Sequence, residues 1–164
     1  MDNLQIRKIN KKEDLIRVSE IEKNSFEYSY PFSLLYSLYN SFPNGFMVAE
    51  NKKNSYIVGY IIATIEWGNG HIVSIATDSK YRNRGVGGIL LGSIENYLFK
   101  KYNVKNIILE VRFDNTNARK FYYKRGYFDK RLVKDYYDDG SDAILMVKKN
   151  PNIVNNDPII VNMW

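Results

Sequence analysis

The chain has 164 residues, 45% of them hydrophobic, with 24 Lys/Arg against 18 Asp/Glu, no cysteine and one histidine, His71. That length suits one domain with a buried core; the absence of cysteine excludes disulfides, thiolate metal sites and cysteine nucleophiles, and a lone histidine excludes a multi-histidine centre, so no metal is expected. No run of about 18 apolar residues offers a membrane span, and the Met1-Asp2-Asn3 start lacks a charged-then-apolar leader, so a soluble cytoplasmic protein is expected.

Leu4 to Ile9 alternates like a first strand, and Lys11 to Phe26 reads as a helix with Leu15, Val18, Ile21 and Phe26 on one face. Pro31 and Pro43 bracket a second short helix around Ser33 to Asn40. Strands are expected from Gly45 to Glu50 and from Tyr56 to Trp67, joined by the polar turn Asn51-Lys52-Lys53-Asn54-Ser55. The second of them, rich in Ile, Val and Tyr, has the composition of a buried strand. Gly68-Asn69-Gly70 is the next expected turn. His71 to Thr77 then forms a strand with His71, Val73, Ile75 and Thr77 on one face. A helix should run from about Gly85 to Tyr102, its apolar side built from Ile89, Leu90, Ile94, Leu98 and Phe99. Lys105 to Arg112 is a strand and Asn115 to Lys124 a helix, and the last strands lie near Tyr127 to Val133 and Ala143 to Lys149. The order β-α-α-β-β-β-α-β-α-β-β predicts an α/β protein, a mixed sheet with helices packed on it. This domain should occupy residues 1–149. The Asn-rich tail, 150–164, carries Ile159, Ile160, Met163 and Trp164 and is expected to dock.

Positive charge is concentrated between Lys80 and Lys134, where 14 Lys/Arg face 4 Asp/Glu. Such a run suits an anionic partner, either nucleic acid or a phosphate-bearing cofactor, or forms a solvated basic surface. Glycines sit inside it. Tyr81-Arg82-Asn83-Arg84-Gly85-Val86-Gly87-Gly88 lies between a strand and an amphipathic helix. Glycine lets backbone approach a ligand, and the first helical turn offers unpaired N–H groups and a positive dipole end, which suit a pyrophosphate. Arg82 and Arg84 could add charge-assisted hydrogen bonds. A P-loop would need Gly-Lys-Ser/Thr where Gly87-Gly88-Ile89 stands, and a dinucleotide fingerprint would need glycine where Leu90 stands. The bland alternative is that the glycines only permit close helix packing.

The Arg82-x-x-Gly85-x-Gly87 pattern resembles the acyl-CoA loop of the GNAT superfamily, and Asn115-x-x-Ala118-x-x-x-Tyr122-x-x-x-Gly126-Tyr127 resembles its second signature downstream. The resemblance extends to protein N-terminal acetyltransferases of the archaeal Ard1 type, related to the NatA catalytic subunit and RimI. It is carried by Tyr30-Pro31 with Glu27, Ile65 to Gly68, Gly70 to Ala76, Leu109 to Arg112 and Tyr136 to Ala143. In that family the first-loop glutamate usually stands two residues before the Tyr-Pro pair, a position held here by Tyr28. The resemblance implies a GNAT fold: about seven strands splayed between the fourth and fifth, with helices on both faces. It implies acetyl-CoA as co-substrate and protein N-termini or peptides as acceptors, with ribosome proximity and no specific nucleic acid or membrane partner. It also implies that Arg82, Arg84, Gly85, Val86, Gly87 and Gly88 hold the pyrophosphate. The backbone of Ile75 and Ala76 would hold the thioester carbonyl, Asn115 the pantetheine arm, and Tyr122 would lie by the sulfur.

Acetyl transfer to an amine needs a base for the amine and a proton for the leaving thiolate. His71 and Glu110 are the candidates for base, and Tyr122 is the proton donor that the resemblance implies. Each has a plain structural alternative. His71 could be a polar cap at a strand start, Glu110 could pair with Arg112 two residues on, and Tyr122 could be core. Glu27, Tyr30, Arg112, Tyr136 and Tyr137 are expected at the acceptor. The other possibilities are a GNAT acting on lysine side chains, a polyamine or another small amine, and a nucleic-acid-binding module.

Overall fold

A computed structural model describes residues 3–153, so the expected docking of the tail lies outside the described residues. The strands are β1 (Leu4–Lys8), β2 (Phe46–Asn51), β3 (Tyr56–Glu66), β4 (Asn69–Thr77), β5 (Asn106–Arg112), β6 (Phe128–Val133) and β7 (Ala143–Lys149). The helices are α1 (Lys12–Ser25), α2 (Phe32–Ser41), α3 (Val86–Tyr102) and α4 (Thr116–Tyr123). The expected element order is the observed one. The strands form one mixed sheet in the order β1-β2-β3-β4-β5-β7-β6. β4 and β5 run parallel, whereas β1 with β2, β2 with β3, β5 with β7 and β6 with β7 are antiparallel. Among the described residues, no helix is long and apolar enough to cross a membrane.

The chain divides into two compact units, one holding residues up to Thr64 with Val73–Tyr97, the other Ile65–Ile72 with the residues from Leu98 onwards. In the first unit, α1 buries Leu15, Val18 and Ile21 against Phe46, Val48, Tyr60 and Ile62. Its N-terminus has no side-chain cap at Lys11. Instead the buried Asp14 accepts from the Asn10 N–H, just before the helix, at 3.2 Å and from Arg7 at 2.7 Å, so that its charge is paired. Phe26 does not join the apolar face. It is the C-cap, in extended conformation, and it is exposed. β3 is buried continuously from Ile57 to Ala63, as its composition implied.

In the second unit, β5 and β7 bury Ile108, Leu145 and Val147 together. Asn150 ends β7 by pairing with backbone, its side-chain amide donating to the Val104 carbonyl and its N–H to that of Lys105, both at 2.9 Å. α3 departs from expectation at one position: Ile89 points outward while Leu91 is fully buried beside Leu90. The turn before β4 also differs. It consists of Trp67 and Gly68, with φ of 54° and 77°, so Asn69 and Gly70 already belong to the strand. Two positive-φ residues make the two-residue hairpin loop whose twist matches its strands. His71 is therefore inside β4 and does not cap its start.

Candidate active site

In a parallel ladder, side chains on one face recur every second residue. His71 lies opposite Ile108, and Glu110, next along that face of β5, reaches it. The His71 Nε2 to Glu110 Oε2 distance is 2.7 Å, and Nδ1 on the other side of the ring stands 3.2 Å from Glu66 Oε2, at the end of β3. Burial works against protonation of His71, but the hydrogen bonds and charges of Glu110 and Glu66 outweigh it, so its pKa lies above the ordinary histidine value. Both ring nitrogens are engaged. Glu110 Oε1, by contrast, has no hydrogen-bond partner among the described residues. A carboxylate with one open oxygen, backed by an imidazole, can take a proton and pass it on.

Glu110 does not pair with Arg112. Arg112 Nη1 instead donates to Asp139 Oδ2 at 2.9 Å and to Ser141 Oγ, and its guanidinium stacks 4.3 Å from the centre of the Tyr137 ring. The segment between β6 and β7 is thus braced from β5. Tyr137 N–H donates to the Ser141 carbonyl at 3.1 Å, Gly140 N–H to the Tyr137 carbonyl at 2.8 Å, and Tyr136 packs edge-on against Tyr137. The Asp139 carboxyl, bonded by the Ser141 hydroxyl and N–H and then by Arg112, is pushed down to about 2. Arg112, placed with the acceptor residues by sequence, is occupied in holding Tyr137.

On α4, Asn115 is the N-cap, its Oδ1 accepting from Ala118 N–H at 3.0 Å while its NH₂ has no partner among the described residues. Tyr122 is buried edge-on against Phe121 and Tyr127, with ring centroids at 5.1 and 5.5 Å. Burial, then the neighbouring Tyr137, pushes its phenol above the usual value. Its hydroxyl makes no hydrogen bond among the described residues, so it is a neutral donor in search of an acceptor.

In the first unit, Ile75 is half-buried and Ala76 buried on β4. The loop after it is tied down locally. Arg82 Nε donates to the Thr77 carbonyl at 3.1 Å and Nη2 to Ser25 Oγ at 3.3 Å, while Arg84 lies 5.5 Å from the Tyr81 ring centre. Gly85 has φ of 80° and stands immediately before α3, whose first turn holds Val86, Gly87 and Gly88. Arg82 to Gly85 are exposed, Gly87 and Gly88 are half-buried and Val86 is buried. A side chain at Gly85 would be strained in the left-handed region and would crowd the approach to the helix N–H groups. Gly85→Val is expected to raise the acetyl-CoA dissociation constant at least about tenfold, read by isothermal titration on folded protein. Glu27 and Tyr30 both lie exposed on the segment between α1 and α2.

A family model described as the acetyltransferase (GNAT) family matches residues 15–127. The chain belongs to the GNAT acetyltransferase family. An uncharacterised N-acetyltransferase of Methanocaldococcus jannaschii is 46% identical to it over 159 residues, 97% of this chain and 99% of that protein. An N-alpha-acetyltransferase of Sulfurisphaera tokodaii is 32% identical over 145 residues, 81% of this chain and 86% of its own. The crystal structure of Ard1 from Thermoplasma volcanium matches with a TM-score of 0.83 at 29% identity, over 90% of this chain and 97% of that one.

Within this GNAT chain, two groups escaped the sequence. Glu66 belonged to a matching stretch, but no local pattern showed that it would face His71. Glu22 looks like an ordinary helix glutamate, yet it is buried, a fact visible only once β3 and β4 are in place. Among the described residues no group of three or more His, Cys, Asp or Glu could hold a metal ion.

Proposed function

We propose that the chain transfers the acetyl group of acetyl-CoA to the N-terminal amine of proteins or peptides, and that Glu110 is the base. The observation that carries this assignment is the Glu110–His71 pair with its open Oε1. The acceptor enters as an ammonium. Glu110 takes its proton and passes it to His71, whose imidazolium is stabilised by the carboxylates on both sides. The freed amine attacks the thioester, whose carbonyl the backbone of Ile75 and Ala76 holds. Glu110, a carboxylate again, takes the second proton that the attacking nitrogen sheds, and the carbon–sulfur bond breaks. Tyr122 gives its proton to the departing thiolate and recovers one from solvent.

The first turn of α3, with Gly85 and the side chains of Arg82 and Arg84, takes the pyrophosphate, and the open NH₂ of Asn115 takes a pantetheine carbonyl. Tyr137, held by Arg112, and Tyr136, Glu27 and Tyr30 read the peptide. The archaeal relatives named N-alpha-acetyltransferase support an N-terminal acceptor. The setting is the cytoplasm, close to the ribosome where new N-termini emerge. The assay compares a free-N-terminus peptide with the same peptide blocked at its terminus and carrying an internal lysine. Only the first is expected to be acetylated, and acetylation of the blocked peptide alone makes this a lysine or general amine acetyltransferase.

A further inference from the structure

Glu22, in the last turn of α1, is 2% exposed in the core of the first unit, and no step above uses it. One of its oxygens, Oε2, accepts from the Tyr60 hydroxyl of β3 and, at 2.8 Å, from the Ser74 hydroxyl of β4. Tyr60 and Ser74 also lie within 3.0 Å of each other. The other oxygen, Oε1, accepts from the backbone N–H of Tyr30 at 3.0 Å. Tyr60 is fully buried, and burial with the adjacent carboxylate pushes its phenol upward, so it stays protonated and keeps donating.

A core would ordinarily fill these positions with apolar groups. Removing a carboxylate from water costs several kcal/mol, and well-packed hydrophobic replacements of buried polar clusters are often neutral or stabilising. What apolar side chains could not supply is an acceptor for the Tyr30 N–H. That N–H belongs to the segment carrying Glu27 and Tyr30, and the next residue, Pro31, starts α2 as its N-cap. On the opposite side, Ser74 immediately precedes Ile75 on β4. One carboxyl group therefore joins the α1–α2 segment to the strand that carries the proposed thioester contact.

We infer that Glu22 is a positioning residue that fixes the peptide-reading segment at Tyr30 relative to β4 through its hydrogen bonds to Tyr30, Tyr60 and Ser74. This rests on the assignment of that segment to the acceptor. Glu22 touches neither substrate nor the reacting atoms. Its loss should appear as weaker use of peptide with acetyl-CoA binding preserved.

The test pairs Glu22→Gln with the triple variant Glu22→Met, Tyr60→Phe, Ser74→Ala, which removes the whole polar cluster and leaves no unsatisfied hydroxyl. The triple variant is expected to melt no lower than wild type, to bind acetyl-CoA within about twofold, and to raise the peptide KM at least about tenfold. Hydrogen exchange at the Tyr30 amide should quicken at least about tenfold in it. Glu22→Gln, which keeps an acceptor for that amide, should hold the peptide KM within about threefold of wild type. A folded triple variant with unchanged peptide KM overturns the inference. So does a Tyr30 amide that exchanges in wild type as fast as those of Glu27 and Tyr28, a measurement needing no variant to fold. A Glu22→Gln protein that loses peptide use while its Tyr30 amide stays protected shows a need for charge and also overturns it. If wild type acetylates only the blocked lysine peptide, the acceptor assignment has failed, and exchange at Tyr30 still decides whether Glu22 holds the segment.

Discussion

Glu110→Gln is expected to lower kcat by about 10²–10³-fold with little change in acetyl-CoA affinity, because general base catalysis contributes roughly 10²–10⁴ and a carboxamide cannot take the proton. Single-turnover acetylation of a free-N-terminus peptide reads this directly. A KM effect with kcat intact would place Glu110 in acceptor binding. The pH dependence carries a second mark. The groups facing His71 are Glu110 from β5 and Glu66 from β3, and both favour its protonated form. In the proposed relay the neutral form receives the proton, and it appears only above the raised pKa. kcat/KM should therefore climb with pH through a value above the ordinary histidine value of 6.5. Glu66→Gln removes one of the two carboxylates and should move that limb to lower pH. Stability has the opposite sign. The contribution of the charged His71 is fully present below its unfolded pKa and is lost as pH rises through the folded one.

Tyr122→Phe is expected to reduce kcat by about 10²-fold, the low end of the range for general acid catalysis, since a thiolate is a weakly basic leaving group and needs its proton less than an alkoxide would. The ring contacts with Phe121 and Tyr127 survive the substitution, so melting temperature and acetyl-CoA affinity should stay close to wild type. The deficit should shrink with a thioester of a more acidic thiol, which departs without help. An equal deficit on both thioesters would make the hydroxyl a packing group. Because the Tyr122 phenol is pushed up by burial, no loss of activity from its ionisation is expected near the usual tyrosine value.

The element order could be read from periodicity and turn residues because strands and helices here carry clear apolar patterns. Glu110 was legible for a related reason: a charge flanked by Leu109 and Val111 in a strand signals a partner. That partner was not legible. Arg112 shares its face at the right spacing, yet Arg112 turns to Asp139 and Ser141, and the cross-strand His71 takes the carboxylate. The placement of His71 was off for a conformational reason. Asn-Gly is a strong turn signal, whereas the observed turn uses Trp67 at positive φ, which bulky residues seldom adopt. The periodicity expects Ile89 inside and does not single out Leu91, because a nearly all-apolar helix leaves its facing ambiguous to within one residue. Glu22 could not be recognised at all. Its role depends on hydroxyls from two strands, 38 and 52 residues away in the chain.

The only parallel pair in the described sheet begins at Asn69 and Asn106, opposite each other in register and joined by a buried side-chain hydrogen bond of 2.9 Å. Two facing valines would pack there at lower desolvation cost, but they would pack almost as well after a slip. A shift of one residue would send Glu110 to the opposite face from His71. It would also strand two buried amides, at about 1–3 kcal/mol for each unsatisfied group. The asparagine pair thus favours the one register that sets Glu110 beside His71 and penalises each slipped one by the amides it leaves unpaired.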